Sequence, residues 1–382
     1  MISRYNNACL KTFEYTFIMS RQRYIGLMSG TSMDGVDAVL IQMENNRWLA
    51  AEAHAFLPYS DELKQDLLDL QQTGDNELHR SQLLSQQLSR LYAETVHLLL
   101  ADTGLNPADI RAIGCHGQTI RHAPQAGYSI QIGNLALLAE LTGIFTIGDF
   151  RSRDLADGGQ GAPLVPAFHQ ALFGDSSQTR VTLNLGGIAN ISVLPPHAPA
   201  FGFDTGPGNM LMDAWVKHIW QLDFDADGAR AAQGSRISSL LDTLLAHPYF
   251  SLPAPKSTGR ELFSLTWLQA YLNPQWQPHD ILRTLLDYTA ISAARAITEY
   301  APQAEAVYVC GGGIRNRLLM DTLQQQLSAP LRSTAALQLD PQWVEAAAFG
   351  WLAACWINGI HSNPVRATGA RHPCVLGAGY YA

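Results

Sequence analysis

Tyr24-Ile-Gly-Leu-Met-Ser-Gly-Thr-Ser-Met-Asp-Gly-Val-Asp-Ala-Val-Leu-Ile-Gln42 sets two apolar runs, YIGLM and VDAVLI, on either side of the polar turn Ser29–Gly35, and reads as a β-hairpin. The design returns at Arg180–Leu194. There VTLNL and ISVL flank Gly186-Gly187-Ile188-Ala189-Asn190, with Gly186 standing 156 positions after Gly30. Solenoid repeats have periods of roughly 20–50 residues, so this spacing points to a duplicated, two-lobed chain. A length of 382 residues agrees, because single hydrophobic cores stop growing near about 250–300 residues.

Between the two hairpins, Glu77–Ala101 carries Leu84, Leu88, Leu91 and Leu98 at helical spacing and ends near Gly104 and Pro107, which predicts a long core-facing helix of the first lobe. Ile110–Cys115 and Tyr128–Ile132 read as strands. The polar segment His116–His122 between them puts His116, Gln118 and Thr119 at a strand end, where open α/β sheets bind ligands. Helices are expected at Asp213–Trp220, Ile237–Leu245, Ile281–Tyr300 and Pro341–Ile357, and a short strand at Ala306–Cys310 feeds Gly311-Gly312-Gly313. The pattern is mixed α/β. Topology puts lobe I at 21–148 and lobe II at 149–364, divided near the loop Gly148–Pro163, with 365–382 packing back on lobe I. Residues 1–20 read as a disordered extension, or as the product of a start codon upstream of Met19.

Composition excludes several classes. With 47% apolar and 15% charged residues, no low-complexity tract, a net charge of −8 and no Lys/Arg run, the chain has neither the disorder signature nor the basic footprint of a nucleic-acid binder or polybasic membrane anchor. Its five cysteines (Cys9, Cys115, Cys310, Cys355, Cys374) are odd in number and scattered, fitting neither a disulfide framework nor a zinc site. A reducing cytoplasm is the expected compartment. The N-terminal stretch has no apolar run of the length a signal peptide or spanning helix needs.

Glycine turns suit phosphate, because backbone N–H groups approach it only where side chains are absent. Gly30-Thr31-Ser32-Met33-Asp34-Gly35 adds two hydroxyls and a carboxylate able to meet Mg²⁺, although a plain Asp/Gly hairpin turn reads the same way. Gly186-Gly187 and Gly311-Gly312-Gly313 complete three loops fit for one nucleotide, and none of them is a Walker A lysine loop. Asp204, in Gly202-Phe-Asp-Thr-Gly-Pro-Gly-Asn209, is either a partly desolvated general base or a turn cap. Arg151 and Arg153 offer forked guanidinium groups to a carboxylate or form surface ion pairs. His116 and His122 lack further partners for a metal and read as hydrogen-bonding histidines. Glu345 follows a helix start at Asp340-Pro341, where the helix dipole explains it as well as substrate does. Trp343, Phe349, Trp351 and Trp356 read as core.

The set of motifs resembles the 1,6-anhydro-N-acetylmuramic acid kinases, sugar kinases of the actin, hexokinase and heat-shock ATPase superfamily. The likeness runs from Tyr24 to Ala382. It rests on Gly26–Gly35, His116–His122, Asp149-Phe150-Arg151 with Gly158–Pro163, Gly202–Asn209, Pro255–Glu261 and Cys310–Gly313, six motifs in order. The resemblance implies two actin-like (ribonuclease H-like) α/β lobes with ATP and sugar in the cleft between them, and a part in peptidoglycan recycling. It implies ATP contacts at Gly30, Thr31, Ser32, Met33, Asp34, Gly35, Val36, Asp37, Gly186 and Gly187, with Gly311, Gly312 and Gly313 on the adenosine side. Asp204 becomes the catalytic base, and Thr31, His116, Arg151 or Arg153, and Glu345 meet the sugar. Mg²⁺ is held mainly by the phosphates, with Asp34 or Asp204 assisting. A homodimer is the expected assembly, with no nucleic-acid or membrane partner. Lys256-Ser257-Thr258 belongs to the pattern without an evident role. Two rivals stand beside this reading: a related kinase acting on a free hydroxyl, and a non-catalytic ATP-gated binding module.

Overall fold

The computed structural model describes residues 21–30, 33–259 and 262–382, so the expected extension 1–20 lies outside the described residues, as do Thr31 and Ser32. The first hairpin forms as read. Strand β1 (Arg21–Met28) runs antiparallel to β2 (Gly35–Glu44), which runs antiparallel to β3 (Arg47–Pro58). On the other side of β1, β4 (Ile110–Cys115) adds in parallel. A separate hairpin pairs β5 (Gln118–Ala123) with β6 (Tyr128–Ile132). Strand β7 (Thr146–Gly148) then joins β4 in parallel.

Lobe II repeats the plan. Strands β8 (Arg180–Leu185), β9 (Ile188–Leu194) and β10 (Phe201–Pro207) form an antiparallel meander. Strand β11 (Ala306–Cys310) runs parallel to β8 and to β12 (Leu331–Ser333). The last strand, β13 (Ala378–Tyr380), returns to lobe I and pairs antiparallel with β7. The sheet orders are therefore β13-β7-β4-β1-β2-β3 and β10-β9-β8-β11-β12. Without β13 the two are one order with one set of strand directions. The duplication read from the hairpins is present as topology, and the molecule has two ribonuclease H-like α/β lobes.

Both faces of β1, β2 and β4 are buried, which is why these strands read as continuous apolar runs instead of alternating ones. Ile25, Leu27, Ala38 and Leu40 point into a cluster with Leu84, Leu88, Tyr92, Val96 and Leu99 of the Glu77–Thr103 helix. Leu98, expected on that stripe, is 39% exposed, because Tyr92, Val96 and Leu99 continue the buried row at the helical period instead. Tyr24, Val39 and Ile41 point the other way, into a cluster with the Val344–Ile357 helix. That helix lies directly on the strands. A Cβ at Gly26 would stand 1.8 Å from the Ala346 carbonyl oxygen, and one at Gly114 would stand 1.9 Å from that of Phe349. The helix follows the lobe II strands in chain order but packs on β1, β2 and β4.

In lobe II, Val181, Leu183 and Leu185 of β8 join Ile191 and Val193 of β9 beneath the Met210–Trp220 and Pro278–Tyr300 helices. The opposite face is polar. His169, on the Val165–Phe173 helix, sits with Nδ1 2.9 Å from Ser192 Oγ and 2.8 Å from Thr182 Oγ1. The same helix sends Phe168 and Phe173 into the cluster that covers β1.

Candidate active site

The turn between β1 and β2 is held from beneath. Met33 N–H donates to the Gly30 carbonyl at 3.2 Å, with Met33 at φ +55°. The side chains of Met33 and Val36 are buried in the lobe I core, so what these two can offer a phosphate is backbone. Gln118, fully buried, donates to the Gly30 carbonyl (3.3 Å) and accepts from the Tyr59 hydroxyl (3.3 Å). Ser29 Oγ donates to the Gly117 carbonyl and lies 3.0 Å from the Tyr92 hydroxyl. One buried network thus ties the glycine turn to the His116–Gln118 segment.

In lobe II the equivalent turn is a two-residue hairpin, Gly186-Gly187. Its carbonyls accept from the backbone of Gly208, Asn209 and Met210, which docks the start of the Met210–Trp220 helix against it. Methyl groups built on Gly186 and Gly187 would meet nothing nearer than 3.5 and 3.9 Å, so these glycines leave open space. Gly311 differs. Its φ is +82°, and a Cβ there would stand 2.3 Å from Asn184 Oδ1, so the packing of the chain itself demands glycine. Asn209 Nδ2 donates to the Leu185 carbonyl and Gln342 Nε2 to that of Gly311, which gathers four loops at the ends of β8 and β11.

Asn184, a polar residue within the apolar β8, bridges the lobes by donating to Glu345 at 2.8 Å. Burial raises the Glu345 carboxyl above its usual range; the Asn184 hydrogen bond opposes this and the Asp37 carboxylate adds to it. Asp37 itself lies 2.8 Å from His54 Nε2, and the His54 ring stacks on Trp343.

The arginine pair separates. Asp149, at φ +53°, turns the chain out of β7, after which Arg151 faces inward and Arg153 is exposed. Arg151 donates to the Gly161 carbonyl at 2.7 Å and to His116 Nε2 at 2.8 Å. Its Nε is buried without a partner among the described residues. Burial lowers its pKa to about 10 against the raising effect of Glu345 and Asp154. Burial, and then the nearby Arg151 charge, lowers His116 to about 3, so this imidazole is neutral and serves as an acceptor. His122 bonds Ser129 Oγ at 3.0 Å, as a hydrogen-bonding histidine should.

Asp154, buried in the helix after Arg151, accepts from Gly161 N–H, from Asn363 Nδ2 and from Thr368 Oγ1. It fixes the loop whose carbonyl holds Arg151. Nothing local in the sequence marks it, since two of its partners lie more than 200 residues away.

Asp204 sits where the β9–β10 register slips between Asp204 and Gly206, a bulge that turns a side chain out of the ladder. Its carboxylate Oδ2 accepts from Thr258 N–H at 3.0 Å, and its backbone N–H donates to the Lys256 carbonyl at 3.0 Å. The Tyr249 hydroxyl donates to its carbonyl at 2.5 Å.

A family model described as anhydro-N-acetylmuramic acid kinase matches residues 22–382. The anhydro-N-acetylmuramic acid kinase of Neisseria gonorrhoeae is 64% identical over 366 residues, spanning 95% of this chain and 100% of that protein. The enzyme of that name from Nitrosospira multiformis is 51% identical over 366 residues, again covering 95% of this chain and 100% of the relative. Among solved structures, the activator of the 2-hydroxyisocaproyl-CoA dehydratase from Clostridium difficile aligns with a TM-score of 0.47 at 14% identity, over 87% of this chain and 94% of that one. Matched across nearly its whole length by the family model and by relatives at this identity, the chain belongs to the anhydro-N-acetylmuramic acid kinase family.

Proposed function

We propose that the chain is an ATP-dependent kinase that hydrolytically opens the 1,6-anhydro ring of 1,6-anhydro-N-acetylmuramic acid and phosphorylates O6, giving N-acetylmuramic acid 6-phosphate and ADP in peptidoglycan recycling. The observation that carries this reading is Asp204, a carboxylate on a bulged strand whose next turn docks on the bare Gly186-Gly187 hairpin. The substrate has no free 6-hydroxyl, so the proton a base removes must come from water. Water attacks C1 while Asp204 accepts its proton, and the C1–O6 bond breaks. O6 takes the γ-phosphoryl group as the bond to the bridging oxygen of ADP breaks.

Phosphoryl transfer is mostly positioning and neutralisation of charge. The turns at Gly30–Asp37 and Gly186-Gly187 take the phosphates, and Gly311–Gly313 take the adenosine side. Among the described residues no group of three or more His, Cys, Asp or Glu could hold a metal ion. In this reading Mg²⁺ is carried mainly on phosphate oxygens, with one carboxylate, Asp34 or Asp204, assisting. Bound there it would offset the phosphate charge.

Arg151, rather than Arg153, is our candidate for the lactyl carboxylate. Its unpartnered Nε supports this, as does the neutral His116 that orients the guanidinium, whereas Arg153 is exposed. Glu345 and Thr31 complete the sugar contacts. The enzyme works in the cytoplasm as a homodimer in this reading.

The test is product analysis with ATP and the anhydro sugar, beside N-acetylmuramic acid and N-acetylglucosamine. Hydrolytic opening adds one water to the phosphorylated product, and oxygen-18 water labels C1 and not the phosphate when the product is quenched early and reduced. A phosphorylated product that keeps the anhydro bridge indicates the free-hydroxyl kinase. ATP binding without ADP release on any sugar indicates the gated module.

A further inference from the structure

The Lys256-Ser257-Thr258 motif has no place in the nucleotide or sugar contacts above, yet it bonds directly to Asp204. Three atoms of Asp204 are held by one short segment of chain. The backbone N–H meets the Lys256 carbonyl, carboxylate Oδ2 meets the Thr258 N–H, and the backbone carbonyl meets the Tyr249 hydroxyl. The segment is itself tied into a loop. Lys256 Nζ turns back to donate to the carbonyls of Tyr249 and Phe250, each at 3.1 Å, and lies 4.9 Å over the Tyr249 ring. These are carbonyls of the Pro248–Ser251 turn, and that of Tyr249 also accepts from the Leu252 N–H at 3.2 Å. One ammonium therefore joins the two ends of the segment.

This arrangement matters because of where Asp204 stands. Asp204 still pairs with Asn190 of β9, but the register slips directly after it, so the ladder holds its main chain without setting the direction of its carboxylate. Something else must do so. A carboxylate whose plane is fixed by an amide to one oxygen, and whose main chain is bonded on both sides, presents one orientation to a reacting water.

We propose that Tyr249–Thr258 is a clamp that sets the direction of the Asp204 carboxylate, with Lys256 as the positioning residue that keeps it closed. Lys256 touches neither ATP nor sugar. It acts through Tyr249 and through its own backbone. The proposal rests on Asp204 being the base, as argued above.

Three variants test it in steady-state kinetics with ATP and the anhydro sugar: Lys256→Met, Lys256→Arg and Tyr249→Phe. Misdirecting a base costs turnover and not binding, so Lys256→Met lowers kcat about tenfold while both KM values stay within about twofold. Lys256→Arg, which keeps the charge and two donors, restores most of that loss. Tyr249→Phe removes one hydroxyl and lowers kcat by about threefold, with the same split. If Lys256→Met does not fold, judged by its melting temperature and by loss of the ATP-induced rise in it, Tyr249→Phe carries the test alone. A rise in either KM at unchanged kcat makes Lys256 a ligand contact and overturns the clamp, and so does wild-type turnover in Lys256→Met and Tyr249→Phe. Asp204→Asn run alongside separates the two claims: if it keeps turnover, the base reading fails, and if it is inactive while the other variants are normal, only the clamp fails.

Discussion

The two sheets share one strand order and differ in the face each lends to the space between the lobes. On lobe I, Gly26 and Gly114 let the Val344–Ile357 helix down onto the strands at two points, where backbone rests on backbone. On lobe II the corresponding face carries Thr182, Asn184 and Ser192, bonded to His169 and Glu345. The connecting turns diverge as well. Lobe I places six residues, Ser29–Asp34, between its first two strands, and lobe II places only Gly186-Gly187. A duplicated scaffold can separate in this way because the hydrogen-bond ladder that sets strand order is independent of the side chains above and below it. One copy presents a close-packed face to the helix, and the other a face of polar groups, which in the proposed function lies on the side of the base.

If that division holds, the largest effect of a single substitution falls on lobe II. Asp204→Asn keeps shape and hydrogen bonding but cannot accept a proton, and should cut kcat by about 10³-fold with melting temperature and ATP-induced stabilisation unchanged. ADP release and thermal scans check it, and near wild-type turnover would break the assignment of chemistry to this lobe.

Next come the arginines of the connection between the lobes. Arg151→Ala should raise the sugar KM about tenfold or more at nearly constant ATP KM, because it removes a forked donor. Arg153→Ala should leave both within twofold. The opposite ranking would move the sugar pocket off the His116 side.

A stability contrast sharpens the comparison directly. Gly26→Ala on lobe I drives a methyl into the Ala346 carbonyl and should cost about 3 kcal/mol or more. Gly187→Ala on lobe II meets only Met210 Cβ, at 3.9 Å, and should change stability by less than about 1 kcal/mol. Its effect should appear instead as a raised ATP KM. Equal destabilisation in denaturant melts would erase the distinction between support and site.

The most gradual effect concerns acid. Burial lowers His169 and His116 to about 3 in the folded protein. An unfolded histidine titrates near 6.5, so below that pH the unfolded chain binds protons that the native one refuses. Stability should fall as pH drops from about 6.5 toward 3, by up to about 1.4 kcal/mol per pH unit for each histidine. His169→Gln should remove one histidine's share of that slope, read from denaturant midpoints at pH 6.5, 5.5 and 4.5.

The sequence made the hairpins readable because each glycine turn stands between runs too apolar to be anything but buried strands, and the Glu77–Thr103 helix because its leucines keep helical spacing. Asp204 was legible from its place between Phe203 and a glycine turn. Arg151 and Arg153 could not be told apart, since what separates them is the turn at Asp149 and a carbonyl ten residues on, at Gly161. Asp154 and the clamp around Asp204 were hidden for a related reason. The bonds of Asp154 to Asn363 and Thr368, and of Asp204 to Tyr249 and Thr258, join segments 45 to 214 residues apart, a distance no local pattern records.

The helix that rests on β1 and the strand that extends the same sheet past β7 both come from the end of the chain, Val344–Ile357 and Ala378–Tyr380. During synthesis the first lobe to emerge is therefore the last to be finished. Until about residue 357 has left the ribosome, one face of its sheet lacks the helix that Gly26 and Gly114 are shaped to receive, and until about residue 380 its edge lacks β13. A fragment ending near residue 148 should be a sticky, chaperone-dependent species and not a domain. The two copies can no longer be cut apart into working modules, because the second has to be read through before the first is whole.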